Sequence, residues 1–300
     1  MSSRRFPYLI ILIPIAFAAM LLLARPHSHS SAKSAARAAS APPSAAVQPD
    51  GAPVSDADQK QKKTSKDATA AKEAAKTAVV PFSPGEILDY NVSWAAFPSA
   101  ATLHLSVIER RNLYGWDSWH MKATGSTENP VRRIFEIDDE FDSYMDAATL
   151  ASHQYEMYLN EMGKSEKSMM ELTPQGSVPR GGIASVIVPP GTRDPIALLQ
   201  SMRAWDWDRT AEMRVPVFDG HNLYDVHANR DAADEEVAVP AGNFRAAKIA
   251  VHIYKGATEM QQIRFTLWVA RNGARVPVAM EAELPFGTFR LELTQIAAGK

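Results

Sequence analysis

Hydrophobic and polar residues alternate with a period of two along most of the chain beyond residue 80. The clearest case is the segment 264–280, where alternate positions are apolar on both sides of Asn272-Gly273: Phe265, Leu267, Val269, Val276, Val278 and Met280. Asn-Gly suits the two positive φ angles of a type I′ turn. The segment is therefore predicted to be a β-hairpin that turns at Asn272-Gly273.

The same alternation predicts about a dozen short strands. The first two, 88–94 and 102–107, are predicted to be joined by a turn at Phe97-Pro98-Ser99. The others are predicted near 119–124, 134–141, 155–159, 168–173, 183–188, 213–217, 224–226, 237–239, 247–253 and 289–293. The acidic segment 231–236 is predicted to be a polar turn. Closely spaced strands of this kind predict an all-β, mainly antiparallel fold with a strongly curved or barrel-like sheet.

One short helix interrupts the strands. Asp194 is a favourable N-cap residue, and Pro195 fits the first helical position. Leu198, Leu199 and Met202 then give the helix an apolar side that can pack on the sheet.

The N-terminal 24 residues are predicted to be a signal anchor or a signal peptide. Residues 6–24 carry no charge and are mostly apolar, and Arg4 and Arg5 precede them. Such a run can just span a bilayer, and its basic flank favours a cytoplasmic N-terminus. We favour the anchor, because the residues that follow form a poor cleavage site. The membrane is thus an expected partner through residues 6–24.

Residues 25–80 are predicted to be a disordered linker rich in Ala, Ser, Pro and Lys. Up to residue 80 the segment lacks Leu, Ile, Phe, Tyr and Trp, so it cannot form a core. The β-rich domain is predicted to cover residues 81–298 and to lie outside the cytoplasm. It would be held at the inner membrane by a single span, or released into the periplasm if the N-terminus is cleaved.

Composition excludes several classes of function. The net charge is −2, so nothing predicts a nucleic-acid partner, and the absence of cysteine excludes disulfides and cysteine nucleophiles. We find no His-x-x-x-His, Gly-x-Ser-x-Gly, P-loop or dinucleotide-binding motif. No cofactor is predicted, and the chain is not predicted to be an enzyme.

The acidic run between residues 136 and 146 is the best candidate for a metal or an acid–base site. It contains Glu136, Asp138, Asp139, Glu140, Asp142 and Asp146. Its candidate metal ligands are Asp138, Asp139 and Asp142, since Ca²⁺ binds several carboxylates on one loop. The run lacks the Asp/Asn-Gly spacing of such a loop, and we interpret it as a solvated strand edge, where charges discourage edge pairing.

Five residues are candidates for ligand binding. Aromatic, thioether and cationic side chains suit an adaptable apolar pocket, although core filling explains any one of them as well. These candidates are Trp94, Met157, Leu199, Arg203 and Trp268.

Five motifs follow one another along the chain: Pro84-Gly85-Glu86 with the strand to Trp94, the helix Asp194–Arg203, the segment Val239–Lys248, Leu267-Trp268 with Arg275-Val276-Pro277, and Phe286–Leu293. Together they resemble the exported-protein family called domain of unknown function 3108. The resemblance covers residues 82–296 and implies an extracytoplasmic β-rich domain without an established activity or catalytic residues. In outline, a helix on a bent sheet is also similar to periplasmic lipoprotein carriers, whose half-open barrel shelters acyl chains.

Three functions follow from these observations. The first is a binding or scaffolding module for an apolar or amphipathic ligand, such as a lipid, or for an envelope protein. The second is an envelope hydrolase that uses carboxylates of the 136–142 run. The third is a purely structural envelope protein.

Overall fold

A computed structural model describes residues 80–299, and the predictions for residues 1–24 and 25–79 lie outside this range. The described residues form fourteen strands and one α-helix, which we number in chain order. The bounds are β1 Ile87–Trp94, β2 Phe97–Leu113, β3 Trp116–Thr127, β4 Asp138–Asp146, β5 Ser152–Glu161, β6 Lys164–Pro174, β7 Ser185–Val188, α1 Pro195–Ala204, β8 Glu212–Phe218, β9 Leu223–Val239, β10 Gly242–Lys255, β11 Thr258–Glu259, β12 Arg264–Ala270, β13 Pro277–Leu284 and β14 Gly287–Ala297. A 3-10 turn covers Val131–Arg133.

All fourteen strands belong to one sheet, as the alternating pattern predicted. Its order is β7-β6-β5-β4-β3-β2-β1-β14-β13-β12-β10-β9-β8, with β11 beside β10. Only the β6–β7 pair is parallel among the described strands. The pairing of β1 with β14 joins the first and last strands, so the N- and C-terminal halves of the domain share one continuous sheet.

The segment before the helix connects the edge strand β8 to the strand β5 from the opposite end of the sheet order. On β8, Arg193 N–H donates to the Pro216 carbonyl at 3.0 Å, and Phe218 N–H donates to the Arg193 carbonyl at 2.8 Å. On β5, Ser152 N–H donates to the Thr192 carbonyl at 2.9 Å. This segment therefore bridges β5 and β8, and the sheet is barrel-like and nearly closed.

Helix α1 lies within the curled sheet. Asp194 caps it as predicted, since one carboxylate oxygen accepts from the N–H groups of Ile196 and Ala197. The other oxygen accepts from the hydroxyls of Ser143 at 2.5 Å and Ser152 at 2.6 Å, on strands β4 and β5. Every residue from Pro195 to Arg203 is buried, so the helix packs on all sides rather than through one stripe.

Apolar side chains from both halves of the sheet and from the helix form one core. Leu88, Met121 and Leu267 come from distant strands, and each is at most 2% exposed. Helix α1 and these side chains thus fill part of the interior. In the lipoprotein carriers, a half-open barrel shelters an acyl chain in the corresponding space.

The hairpin around Asn272-Gly273 is confirmed, but the predicted type I′ turn is wrong. Strand β12 ends at Ala270 and β13 begins at Pro277, so six residues connect them. Arg275 N–H donates to the Asn272 carbonyl at 3.2 Å and to its side-chain oxygen at 3.0 Å. Because the Asn272 side chain closes this wider loop, the positive φ falls at Arg275, with 44°, rather than at Asn272 or Gly273.

Two-residue turns with two positive φ angles occur elsewhere. Met162 and Gly163 have φ of 50° and 75° between β5 and β6. Tyr114 and Gly115 have 50° and 91° between β2 and β3. These angles are those that tight hairpins require.

Two predicted turns are strands instead. Phe97–Ser99 opens β2, and the turn lies at Ala95 and Ala96. Residues 231–236 continue β9, where Glu235 faces Ala246 and Glu236 faces Arg245 on β10. Cross-strand pairing overrides the polar composition of this segment.

Candidate functional site

A cavity of about 520 Å³ opens where the C-terminal end of α1 meets the β12–β13 connection. Its lining residues are Val80, Pro81, Ala204, Trp205, Asp206, Trp207, Asp208, Ala247, Val269, Ala270, Arg271, Asn272, Gly273 and Arg275. Both apolar side chains and arginine and aspartate side chains thus line this cavity.

A second cavity, of about 560 Å³, adjoins the first. It is lined by Asp234, Asn243, Phe244, Arg245, Ala270, Arg271 and Asn272. The two cavities share Ala270, Arg271 and Asn272, and we call them together the Arg271 cleft. Each has the size of a small-molecule site.

Two tryptophans after the helix form the apolar wall of the cleft. The Trp207 indole N–H donates to the Met202 carbonyl at 2.8 Å, and that of Trp205 donates to the Thr210 carbonyl at 2.9 Å. Trp207 is buried, whereas Trp205 is partly exposed. The indoles are therefore held in place, and Trp205 keeps a surface toward the cleft.

Arg275 connects the other wall to the helix. Its Nη1 donates to the carbonyls of Trp205 at 3.2 Å and Ala204 at 3.4 Å, at the end of the helix, where the last carbonyls lack partners within the helix. The guanidinium also lies where the helix dipole favours a cation. Positive φ is uncommon for a residue with a side chain, and such conformations concentrate at ligand sites and turns.

Arg203 lies in the interior beneath the cleft and connects several segments by hydrogen bonds. Nη1 donates to Glu86 Oε1 at 2.7 Å and to Gln200 Oε1 at 3.0 Å, and Nη2 donates to Glu86 Oε2 at 3.1 Å. The remaining bonds reach the carbonyls of Ala274 at 3.0 Å and Arg275 at 3.2 Å. A guanidinium has five donors, so all are used within the chain. Arg203 is fully buried and ties α1 to β12–β13.

Three arginines share two carboxylates along the cleft. Arg271 Nη2 lies 2.6 and 2.7 Å from the two oxygens of Asp208, and Arg230 Nη1 lies 2.7 Å from Asp208 Oδ1. Asp234 accepts from Arg230 at 2.8 Å and from Arg245 at 3.1 Å, and Arg271 Nε lies 3.5 Å away. The network therefore carries one excess positive charge.

The arginines also keep the two carboxyl groups ionised. Hydrogen bonds from Arg271 and Arg230 lower the pKa of Asp208. For Asp234, burial acts to raise the pKa, but the hydrogen bond from Arg230 and the charges of the three arginines outweigh it and lower the pKa. Both aspartates thus remain anions at neutral pH and hold the guanidinium groups in place.

The five predicted ligand-binding residues lie elsewhere, and the lining of the described cleft contains none of them. Arg203 lies beneath the cleft, and Leu199 is buried in α1. Met157 is buried on β5 against Gly220. Their predicted role in ligand binding stays a prediction.

The two predicted tryptophans occupy separate surroundings. Trp94 stacks on Phe289, with ring centroids 5.5 Å apart, at the β1–β2 turn. Trp268 donates its indole N–H to Glu235 at 2.8 Å, and the side chains of Lys248 and Arg290 lie over its ring at 5.7 and 5.3 Å. Neither tryptophan lines the cleft.

The acidic run forms separate pairs along β4. Asp138 accepts from Arg132 at 2.8 and 2.6 Å, and Glu140 accepts from Lys122 at 2.5 Å. Because β4 pairs with β3 on one side and β5 on the other, the interpretation as a strand edge is wrong. Neighbouring cationic side chains, and not solvent alone, therefore neutralise the charge of these carboxylates.

Asp139 points to the opposite side of β4 from Asp138 and Glu140. Its carboxylate accepts from Asn160 N–H at 2.8 Å and is 4% exposed. Burial raises the pKa of Asp139 to about 7, although the hydrogen bond from Asn160 acts against the rise.

Asp142 forms the most enclosed pair of the run. Its Oδ1 lies 2.5 Å from His120 Nε2, and its Oδ2 lies 3.5 Å from Lys122 Nζ. Glu156 lies directly opposite on β5, where Gln154 and Tyr158 donate to it. Among residues 80–299, no group of three or more His, Asp and Glu side chains is arranged to hold a metal ion.

Sequence reasoning missed the cleft because distant segments form it. The available signals were the aromatic–acidic segment Trp205–Asp208 after the helix and Arg271 and Arg275 around Asn-Gly. In the sequence, Trp205–Asp208 is typical of an ordinary helix end, and Arg271 and Arg275 are typical of an ordinary turn. Asp234 lies within a segment predicted to be a polar turn.

Comparisons with known proteins place the chain among proteins without an assigned activity. The model of one family, described as Protein of unknown function (DUF3108), matches residues 89–294. Curated proteins give no match. Within residues 80–299, the helices are too short or too polar to cross a membrane.

Several solved structures are similar in outline. A beta-barrel-like protein of domain of unknown function DUF1849 from Brucella abortus is 9% identical, with a TM-score of 0.44 over 74% of this chain and 100% of that one. A candidate lipoprotein from Parabacteroides distasonis is 12% identical, with a TM-score of 0.34 over 73% of this chain and 98% of that one. A candidate exported protein from Bacteroides fragilis is 11% identical, with a TM-score of 0.29 over 73% of this chain and 98% of that one. Likeness at this level transfers neither residues nor an activity.

Proposed function

The chain belongs to the family described as Protein of unknown function (DUF3108), as its motifs predicted, and from this premise we propose that it is a binding module outside the cytoplasm. The module binds an amphipathic ligand in the Arg271 cleft. The observation that carries the proposal is the cleft itself, whose two cavities combine apolar and arginine side chains and share Ala270, Arg271 and Asn272.

The cleft has the properties that ligand sites share. Pockets are mostly apolar, with a few placed polar groups that orient the ligand. Here Val80 and Trp205 supply partly exposed apolar surface, and Arg271 and Asn272 supply hydrogen-bond donors. The buried bonds of Arg203 keep the two walls together without any contribution from a ligand.

The proposal includes a tether that presents this domain. The uncharged run 6–24 supports attachment to the inner membrane, and the linker 25–80 supports a flexible connection. A lipid or an envelope protein with an apolar segment is the expected partner. Reporter fusions at residue 300 test the location, because an alkaline phosphatase fusion is active only outside the cytoplasm.

The binding test uses the full chain after extraction in mild detergent. Native mass spectrometry is expected to detect a bound amphiphile, and Gly273→Trp is expected to abolish it by filling the cleft. Gly273 suits this change, since a side chain there meets open space. Ser99→Trp, at an exposed position on β2, is the matched control and should retain the ligand.

The same experiment separates the alternatives. A ligand retained equally by Gly273→Trp would place binding outside the cleft and overturn the proposal. The absence of any ligand, together with cleavage of envelope polymers that depends on carboxylates of the 136–142 run, would favour the hydrolase. The absence of both would favour a structural protein.

A further inference from the structure

Two arginines in the second cavity retain unused hydrogen-bond donors. Arg245 is exposed and donates through Nε to Asp234 at 3.1 Å, while its two terminal nitrogens make no bond within the described residues. Arg271 uses Nη2 on Asp208 and Nε near Asp234, which leaves Nη1 unused among these residues. Both side chains line the same cavity.

Two carboxylates of the Arg271 cleft, Asp234 in the second cavity and Asp208 in the first, are already bound by cations. Asp234 contacts three guanidinium groups, and Asp208 contacts two. A cationic ligand would compete with these arginines, whereas an anion meets one excess positive charge. The carboxylates also hold Arg271 in place, which lowers the entropic cost of ordering it around a ligand.

The chemistry of the free donors limits the ligand further. Guanidinium groups bind carboxylates and phosphates through two parallel hydrogen bonds. Asn243 and Asn272 line the same cavity and can donate to further oxygens of such a group. In the adjoining cavity, the partly exposed side chains of Trp205 and Val80 offer apolar surface that suits an alkyl chain or ring.

We infer that the ligand of the Arg271 cleft is an anionic amphiphile, whose carboxylate or phosphate lies against Arg245 and Arg271 while its apolar part covers Trp205 and Val80. The inference rests on the proposed function and specifies the class of ligand. A lipid headgroup and a soluble acyl anion share this chemistry.

The test titrates the full chain, held in nanodiscs of zwitterionic lipid, with three probes. These are octyl phosphate, octyl glucoside and inorganic phosphate, followed by tryptophan fluorescence and calorimetry. Octyl phosphate is expected to bind at least tenfold tighter than either other probe, because only it uses both walls. A second titration with nanodiscs containing anionic lipid distinguishes the sources, since a headgroup ligand would already occupy the cleft and weaken octyl phosphate binding.

Arg245→Gln is the variant that tests the anion contact. It is expected to weaken octyl phosphate binding about tenfold and to leave octyl glucoside binding unchanged. Arg264→Gln is the matched control, because Arg264 is similarly exposed, lies on β12 next to the β10 strand of Arg245, and lines neither cavity. It should leave both affinities unchanged.

The outcomes separate this inference from the proposed function. Equal affinity for octyl phosphate and octyl glucoside, unaffected by Arg245→Gln, would overturn the anionic ligand but retain an amphipathic one. Inorganic phosphate binding as tightly as octyl phosphate would overturn the amphiphile. Failure of all three probes, with an unchanged far-UV spectrum, would overturn both proposals.

Discussion

Arg203 and Glu86, 117 residues apart in the chain, form a buried two-bond ion pair with Nη1–Oε1 at 2.7 Å and Nη2–Oε2 at 3.1 Å. The pair connects the first family motif, at Glu86, to the end of α1. The same guanidinium reaches the carbonyls of Ala274 and Arg275 in the last hairpin. Three motifs that are distant in sequence therefore meet at one side chain, directly beneath the Arg271 cleft.

Replacement of Arg203 should strongly destabilise the domain. Arg203→Lys keeps the charge but cannot reproduce five directed bonds, and it leaves Glu86 and two carbonyls incompletely paired in the interior. We expect a loss of about 3 kcal/mol in the free energy of unfolding, measured by urea denaturation. Arg264→Lys, at a 78% exposed side chain, should change it by less than about 0.5 kcal/mol.

Replacing both Glu86 and Arg203 should lower the free energy of unfolding by less than replacing Glu86 alone. Glu86→Gln alone leaves the guanidinium charge buried without its counter-ion. The double variant Glu86→Gln/Arg203→Met removes that buried charge, so a double-mutant cycle should give a coupling energy above about 1 kcal/mol. Additive effects would show that the pair contributes no mutual stabilisation.

Glycine substitutions should distinguish two turns that look alike in sequence. A Cβ at Gly287 would lie 2.9 Å from Trp94 Nε1, and its φ of 136° is unfavourable for other residues. Gly287→Ala is therefore expected to lower stability by about 2 kcal/mol. At Gly273 a Cβ meets open space without a positive φ, so Gly273→Ala should be neutral or slightly stabilising. A large loss at Gly273, measured by thermal unfolding, would support the type I′ turn instead.

Local patterns predicted most of the strands and the helix because each depends on nearby residues. Alternation located β1, β3 and β10, and the Asp194-Pro195 pair located the start of α1. Turn geometry was less predictable. The Asn272 side chain bonds to Arg275 and widens its loop, whereas Met162 adopts a positive φ that its side chain does not favour.

The candidate site could not be predicted in the same way. Asp208, Asp234 and Arg271 come from three segments that only the sheet order brings together. Asp234 was assigned to a turn because of its acidic neighbours, but its position on β9 opposite Ala247 is what directs it to the cleft. Long-range register, which short patterns do not specify, decides this assembly.

The buried carboxyl group of Asp139 should make stability depend on pH. Its folded pKa of about 7 lies above the unfolded value of about 3.9, so the native state binds the proton more tightly. The contribution of Asp139 to stability is therefore greatest at low pH and falls as the pH rises to about 7. Between about pH 5 and about pH 8, the free energy of unfolding of the wild-type protein should fall by about 2 kcal/mol because of Asp139. Asp139→Asn keeps an oxygen for the Asn160 N–H and should abolish this fall.

Asp138→Asn provides the control for this pH effect. A hydrogen bond from Arg132 lowers the pKa of Asp138, so its contribution is present above the unfolded pKa and is lost only in more acidic solution. Urea midpoints between about pH 5 and about pH 8 should therefore keep the wild-type slope in Asp138→Asn. An unchanged slope in Asp139→Asn would contradict the assignment to Asp139.

Replacement of Asp142 tests whether the acidic run is structural or catalytic. Asp142 is 5% exposed and lies between His120 and Lys122, so Asp142→Asn should lower stability by about 2 kcal/mol. Asp117→Asn is the matched control, since Asp117 also pairs across the β2–β4 region but is 59% exposed, and should cost less than about 1 kcal/mol. A carboxylate kept for catalysis is commonly a cost to stability, so its removal would stabilise the fold. A more stable Asp142→Asn domain that also loses cleavage of envelope polymers would therefore favour the hydrolase, whereas destabilisation without any loss of activity indicates that the run holds β3, β4 and β5 together.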